Sequence, residues 1–410
     1  MNLRTKALSL CFVCFVMTIE VSPAQRSFKP DKRLLKAVDH SLVQCAQQYR
    51  HMMETLPDDR FPVTANPAKG EVRTSGSEPW VGGFYPGALL YLYEALGEDD
   101  LYRESLKKMD VLEKEKHNKT THDLGFMMYC SFGAARRIKP EPRYDEIIVT
   151  SARSLASRFS EKTGCIRSWD SGPGQFMVII DNMVNLELLF AAARMTGDST
   201  FYHIATSHAN TTMKHHFRAD NSSYHLVIYD PQTGGIQKKQ TVQGAFDESA
   251  WARGQAWGLY GYTMTYRETK DAKYLKQAVD IAHFLLDHPN LPEDKIPYWD
   301  FNAPGIPNAP RDVSAGAVIC SALLELSGYA RPEDAKKFRK AAEAMLKSLV
   351  SPEYFAKPGE NCGFLLKHGV GNYPRNADID VPLIYADYYF VESLVRYKAL
   401  AKGNLFWQNH

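Results

Sequence analysis

Residues 176–198 read FMVIIDNMVNLELLFAAARMTGD, an apolar run that stops at Asp181 with a helical pattern starting beside it. From Asn182 onward Met183, Leu186, Leu189, Phe190 and Ala193 recur at three- and four-residue steps, the period of a helix with one buried face. Asp181 therefore stands at a helix N-terminus. Two roles suit an aspartate there. As an N-cap it accepts a hydrogen bond from an orphan backbone N–H of the first turn. Alternatively, a carboxylate set between Phe176–Ile180 and Met183–Leu186 loses part of its hydration, which raises its pKa and fits it to donate a proton. The choice depends on whether the rest of the chain builds a site around it.

The same period recurs along most of the chain. It predicts helices over Asp31 to Met53, Phe84 to Leu96, Asp100 to Lys116, Asp123 to Arg136, Arg143 to Ser160 and Asp181 to Thr196, and then over Ser199 to Phe217, Ala250 to Glu268, Ala272 to Leu286, Ser314 to Tyr329, Glu333 to Leu349 and Leu383 to Ala401. Several neighbours are joined by one short device, in which an acidic or polar turn feeds an aromatic or apolar residue at the start of the next helix. Gly97-Glu98-Asp99-Asp100-Leu101-Tyr102, Gly197-Asp198-Ser199-Thr200-Phe201-Tyr202 and Thr269-Lys270-Asp271-Ala272-Lys273-Tyr274 show it, and Arg331-Pro332-Glu333-Asp334 is a looser copy. These read as tight helical hairpins. Six of them closed in a ring make an all-α (α/α)6 barrel, with short turns at one end and long loops at the other. An open solenoid would show more regular repeats.

The long connections are Thr55 to Val81, Gly164 to Ile180, Arg218 to Ser249, Asp287 to Val313 and Ser351 to Pro382. Each is rich in Gly, Pro and aromatics, and some should hold short strands, such as Tyr224 to Tyr229. Loops this long usually carry a function. Ahead of the helices, Arg4 and Lys6 precede an apolar run from Ala7 to Ile19, with small residues at Ser22-Pro23-Ala24. This pattern predicts a signal peptide over residues 1–24, leaving one catalytic domain over 25–410 in an exported, periplasmic protein. Cys45, Cys130, Cys165, Cys320 and Cys362 remain, an odd number without a CxxC pair, so at least one thiol is unpaired. The net charge of +2 and the lack of a basic run argue against nucleic acid, and the apolar run is too short to span a membrane comfortably.

The long connections and the helix starts beside them hold Trp80, His122, Asp123, Trp169, Asp181, His225, Gln243, Trp251, Arg253, Gln255, Trp257 and Tyr385. Any one tryptophan is most economically a packing residue. A group of them interleaved with carboxylates and amides suits a carbohydrate, whose ring faces are apolar and whose hydroxyls need planar polar partners. There is no GxGxxG after a strand, no P-loop, no HExxH and no GxSxG, so no cofactor or metal is expected.

Five motifs in order, Trp80-Val81-Gly82-Gly83-Phe84-Tyr85-Pro86-Gly87, His122-Asp123-Leu124-Gly125-Phe126, Ile180-Asp181-Asn182-Met183, Ala252-Arg253-Gly254-Gln255-Ala256-Trp257-Gly258 and Ala386-Asp387-Tyr388-Tyr389-Phe390, resemble the unsaturated glucuronyl hydrolases, glycoside hydrolase family 88. The resemblance spans nearly all of the chain after the leader. It implies an α/α six-hairpin barrel acting on an oligosaccharide that ends in the unsaturated uronic acid left by polysaccharide lyases. It also implies that Asp181 is the general acid and base, that Asp123 is its partner, and that Trp80, His225, Gln243, Trp251, Arg253 and Trp257 line the sugar site. His122, which opens the second motif, and Tyr385, beside the last, are further candidates for substrate contact. A monomer or small homo-oligomer is expected. Competing readings are an unsaturated rhamnogalacturonyl hydrolase, an ordinary glycosidase with paired carboxylates, or a sugar-binding protein without turnover. In the loop from Val370 to Asp380, Arg375 is the only cation and there is neither serine nor lysine. Relatives that prefer sulfated chondroitin fragments carry both, so no gain from a 6-sulfate is expected here.

Overall fold

The computed structural model describes residues 29–170 and 172–404, and the proposed leader lies outside them. The chain opens with α1 (Lys32–Met53), a hairpin of β1 (Phe61–Asn66) and β2 (Glu71–Ser75), then α2 (Phe84–Leu96) and α3 (Asp99–Leu112). A π-helix over Gly125–Gly133 runs into α4 (Ala134–Ile138), followed by α5 (Pro142–Ala156). Short strands β3 (Phe159–Ser160), β4 (Cys165–Ile166) and β5 (Phe176–Ile179) precede α6 (Asn182–Thr196) and α7 (Ser199–His215). Strands β6 (Leu226–Tyr229) and β7 (Ile236–Gln240) lead to α8 (Ala252–Thr269), α9 (Ala272–Asp287), α10 (Val313–Leu326) and α11 (Pro332–Leu349). The hairpin of β8 (Gly369–Asn372) and β9 (Ala377–Val381) then precedes α12 (Ile384–Ala401).

Contacts run from α2 to the π-helix, α6, α8, α10, α12 and back to α2, so these form a closed inner ring. The outer layer is α1, α3, α5, α7, α9 and α11, each packed on an inner neighbour. This division follows composition. The α10 segment VSAGAVICSALLEL is buried on every side, whereas α11, PEDAKKFRKAAEAMLKSL, buries only one stripe. Close approach inside the ring needs small residues: a Cβ on Gly261 of α8 would lie 2.5 Å from the Met183 Cβ of α6. One hydrophobic cluster extends from Leu34 to Leu400. The (α/α)6 barrel is thus observed, and the strands among the described residues form four small sheets in the connections between helices.

The short turns work as their composition suggests. Gly97 and Gly197 close α2 and α6 in the left-handed region, at φ 76° and 72°. Asp198 and Asp271 then cap the next helices by accepting the N–H of Thr200 and Lys273. Three predicted spans need correction. The helix expected to Lys116 tightens after Leu112 into a 3₁₀ turn. The helix expected from Asp123 is a π-helix from Gly125, which apolar period could not reveal because Leu124, Phe126, Met127, Met128 and Phe132 are buried all round. The helix expected to reach Ser160 stops at Ala156, because Phe159–Ser160 pairs instead with Cys165–Ile166 and the Arg158 guanidinium binds the carbonyls of Lys119, Arg167 and Ser168. The five cysteines among the described residues are all free.

The ring is tied together by a buried ionic cluster. Glu325 of α10 accepts from Arg267 of α8 at 2.9 and 3.0 Å and pairs with Arg396 of α12 at 2.9 Å, while Arg267 also reaches Glu187 of α6. Four inner helices therefore share one network, and removing a member strands its partners without counter-charge. We expect Glu325→Ala to lose about 3–5 kcal/mol in denaturant unfolding, with Glu325→Gln losing less. A change under about 1 kcal/mol, the worth of an exposed pair, would show that the cluster does not hold the ring.

Candidate active site

Asp181 is delivered by a strand rather than by a loop. Strand β5 pairs antiparallel with β6, and the Ile180 N–H extends the ladder to the His225 carbonyl at 3.0 Å. The next residue, Asp181, stands at the N-cap position of α6, but with helical dihedrals (φ −55°, ψ −30°) and no hydrogen bond from its side chain to the first turn. The capping role is therefore absent. Its Oδ2 is buried and has no hydrogen-bond partner. Burial pushes the carboxyl up to about 7. The positive charge of Arg253 opposes that rise, and any negative charge on Asp123 adds to it. Its own backbone N–H and the Trp257 indole lower it slightly, although the indole N–H completes no hydrogen bond of ordinary geometry.

Asp123 precedes the π-helix and is held from three sides. Thr121 donates its hydroxyl to Oδ2 at 3.1 Å, Asn185 Nδ2 approaches Oδ1 at 3.5 Å, and His122 Nε2 lies 3.3 Å from the same Oδ1. Asn185 lies one turn along α6 from Asp181 and also accepts the Phe126 N–H at 2.9 Å. This bridge requires contact between backbones: a Cβ on Gly125 would sit 2.5 Å from the Asn185 Cα. Asp123 and Asp181, far apart in sequence, are thereby brought to one place.

Aromatic rings enclose the pair. Half-buried Trp80 packs on Phe84, Phe126 and Tyr385, and Phe126 in turn packs on Trp257. On the other side His225 lies against Trp251, with ring centres 4.6 Å apart, and meets the edge of Trp169. His225 Nδ1 accepts the Val242 N–H at 3.1 Å, so in the neutral ring Nε2 carries the hydrogen, 3.8 Å from Asp181 Oδ2. Burial lowers the imidazole to about 3, which keeps it neutral.

Arg253 is 2% exposed. It donates to Asp312 Oδ2 at 2.7 Å and to the carbonyls of Val370 and Gly371 at 2.6 and 2.7 Å, with the faces of Trp251 and Tyr385 beside it. Gln243 donates to the same Gly371 carbonyl at 3.0 Å and remains half-buried. Arg253 and Gln243 thus fasten the β8–β9 hairpin over the site. Gln255 is occupied with the Ser223 backbone, and Asp387 accepts the N–H groups of Leu365 and Leu366. Both lie in the motifs but act structurally. Asn185 and Asp312 carry no signal in the sequence that marks them as site residues, while Trp299, a tryptophan of the long connections, stacks on Tyr373 with 4.3 Å between ring centres. Asp312 also caps α10 by accepting the Ser314 N–H. Among the described residues no group of three or more His, Cys, Asp or Glu is placed to hold a metal ion.

The arrangement offers a carboxylic acid that keeps its proton well above the usual carboxylate range, up to about pH 7, beside a second carboxyl group, in an aromatic pocket. Such a group makes the fold less stable at alkaline pH. With a folded pKa of about 7 against an unfolded value of about 3.9, the wild-type contribution is full below the unfolded value and lost as pH rises through the folded one. We expect Asp181→Asn to melt above wild type at pH 8, with the gap narrowing by pH 4. Equal gaps at the two pH values would show that the carboxyl is not raised.

No family model matches the sequence. Comparison with individual proteins is consistent throughout. The chain is 45% identical over 342 residues to the unsaturated glucuronyl hydrolase of Formosa agariphila, covering 82% of this chain and 84% of that protein. It is 34% identical over 340 residues to the unsaturated chondroitin disaccharide hydrolase of Streptococcus pneumoniae, covering 80% and 83%. A solved unsaturated glucuronyl hydrolase specific for heparin superposes with a TM-score of 0.87 at 46% identity, over 90% of this chain and 98% of that one. With that agreement in sequence and in fold, the chain belongs to the unsaturated glucuronyl hydrolases.

Proposed function

We propose that this enzyme removes a 4,5-unsaturated uronic acid from the non-reducing end of glycosaminoglycan oligosaccharides left by lyases, and that Asp181 carries the chemistry. The C4=C5 bond of such a sugar is conjugated to its carboxylate and joined to the ring oxygen, so it is a vinyl ether. Asp181, entering as the neutral acid, protonates C4. The resulting cation is shared by C5 and the ring oxygen. A water molecule attacks C5 while the Asp181 carboxylate takes its proton, which regenerates the acid. The hemiketal then opens to a C5 ketone, and the aglycone leaves from C1 as its alcohol, with one water consumed overall. What supports this assignment above all is the buried, unpartnered Oδ2 of a carboxyl held near 7.

In this reading Trp80, Trp251, Trp257 and Tyr385 stack against and enclose the sugar, His225 orients it or the water from beside Asp181, and Gln243 meets its polar edge. Arg253 contributes by holding the hairpin and by lending positive charge toward the substrate carboxylate. A positioned acid/base contributes about 100- to 10,000-fold. Orientation by the pocket supplies further acceleration.

The β8–β9 hairpin bears on the aglycone. Asp378 is paired with Arg73 at 2.6 Å and Asp380 with His368 at 2.6 Å, so neither is matched to Arg375, which is exposed. We infer that the enzyme gains nothing from a 6-sulfate and works as well or better on unsulfated or heparin-derived fragments. The similarity to the heparin-specific relative supports this. We further infer that residues 1–24 are removed on export to the periplasm, on the strength of the charged start, apolar run and small residues described above. Mass spectrometry of the secreted chain would show a mature N-terminus near Gln25.

Asp181→Asn should cut kcat by at least about 100-fold while substrate still binds, read as loss of the conjugated ultraviolet absorbance. Retention of more than a tenth of wild-type kcat would exclude the acid/base role. In oxygen-18 water, product trapped before carbonyl exchange should carry label at C5, and label confined to C1 would mean ordinary glycoside hydrolysis. On unsaturated chondroitin disaccharides, kcat/KM should be no higher with a 6-sulfate than without, and a clear preference for the sulfated one that Arg375→Ala removes would reverse the reading of the hairpin.

A further inference from the structure

We propose that His122 and Asp123 hold one proton between them, so that His122 is a positioning residue that keeps Asp123 from facing Asp181 as a bare anion. His122 is 1% exposed, and its Nδ1 lies 2.9 Å from the Ser168 carbonyl oxygen. A carbonyl only accepts, so Nδ1 carries a hydrogen. In a neutral ring Nε2 is then a lone pair. That lone pair sits 3.3 Å from Asp123 Oδ1, and Nε2 is buried and completes no hydrogen bond, to Asp123 or to any other group. A lone pair against a carboxylate is repulsive in a buried place, and one proton converts the contact into an attraction. It stands either on the ring, as an imidazolium facing a carboxylate, or on the aspartic acid, facing an imidazole. Both states give the pair a net charge of zero.

His225 shows the opposite arrangement. There the backbone N–H of Val242 occupies Nδ1, so Nε2–H points at Asp181 with no second proton needed. The two histidines thus present a hydrogen to one carboxyl and a lone pair to the other. The other titratable or charged groups facing His122 are Arg158, beyond the end of α5, His208 of α7, and His225 ahead of β6. Burial is the largest influence and lowers the His122 imidazole; Asp123 and the Ser168 carbonyl oppose it, and Arg158, whose Nη2 reaches the same carbonyl at 3.3 Å, adds to it. These opposing influences affect where the proton rests and not whether the contact needs it.

Two measurements test the pair. The first needs no turnover: ¹⁵N spectra of the histidine-labelled full chain, assigned with His122→Gln, report the ring nitrogens. Between pH 6 and 8, Nδ1 should be protonated and Nε2 should be either protonated or shifted by accepting a hydrogen bond. A free, unshifted Nε2, or a bare Nδ1, would overturn the proposal. The second rests on Asp181 being the acid. The side-chain amide introduced by His122→Gln can still donate to Asp123 but supplies no titrating proton, so Asp123 becomes a full anion and the alkaline limb of the kcat profile should move up, on the order of one pH unit. His122→Phe should show the same shift with a further loss of kcat, because Asp123 also loses its hold. A limb that stays in place in His122→Gln would reduce His122 to packing. Absence of turnover in the wild type would instead count against the assigned reaction and leave the nitrogen shifts to decide the pair.

Discussion

The burial of one unpartnered carboxyl, Asp181, is the constraint around which the site is arranged. A nearby cation favours the ionised form of a carboxyl group, and Arg253 is near enough to pull the Asp181 pKa down. The pull is incomplete because Arg253 is already matched to Asp312, which is fully buried. A paired cation in a desolvated setting acts on a third group as a dipole and not as a full charge. The acid therefore stays near neutrality within reach of positive charge, which an anionic sugar requires.

Arg253 also links the barrel to its loops. Asp312 caps α10, receives Arg253 from α8, and accepts the Val370 N–H of β8 at 3.3 Å. The Val313 N–H meanwhile donates to the His368 carbonyl at 3.1 Å. One aspartate thus fixes the angle between two inner helices and the seat of the β8–β9 hairpin. Polar groups buried this deeply stabilise only when every member is satisfied, so the hairpin cannot shift without stranding a charge. The inner ring and the loop wall are, in this respect, one unit.

Legibility in the sequence varied with the range of the force involved. The hairpin turns were readable because Gly97, Gly197, Asp198 and Asp271 act within a few residues of themselves. Helix ends set from a distance were not. Nothing near Ser157 announces that α5 stops, because the competing partner is the strand at Cys165. The π-helix was hidden for a different reason: a segment buried on all sides shows no period to measure. At the site, chemistry-bearing residue types were visible at Asp123, Asp181, His225 and Trp257, whereas nothing in the sequence marked Asn185 or Asp312, whose roles come from contacts with distant segments.

By itself the sequence determined the order of helices, the tight turns between them, the length of the loops and, through five ordered motifs, the family. Those properties are local, or repeat along the chain, and so survive without coordinates. Only the tertiary structure decided that Asp181 is not a cap, that Arg253 is committed to Asp312 and the hairpin, and that His122 and His225 present opposite faces to the two carboxyls. Each of these depends on which backbone group happens to stand opposite a side chain. That is settled by packing, here by a glycine at position 125 that lets α6 and the π-helix touch, and no reading of neighbours along the chain contains it.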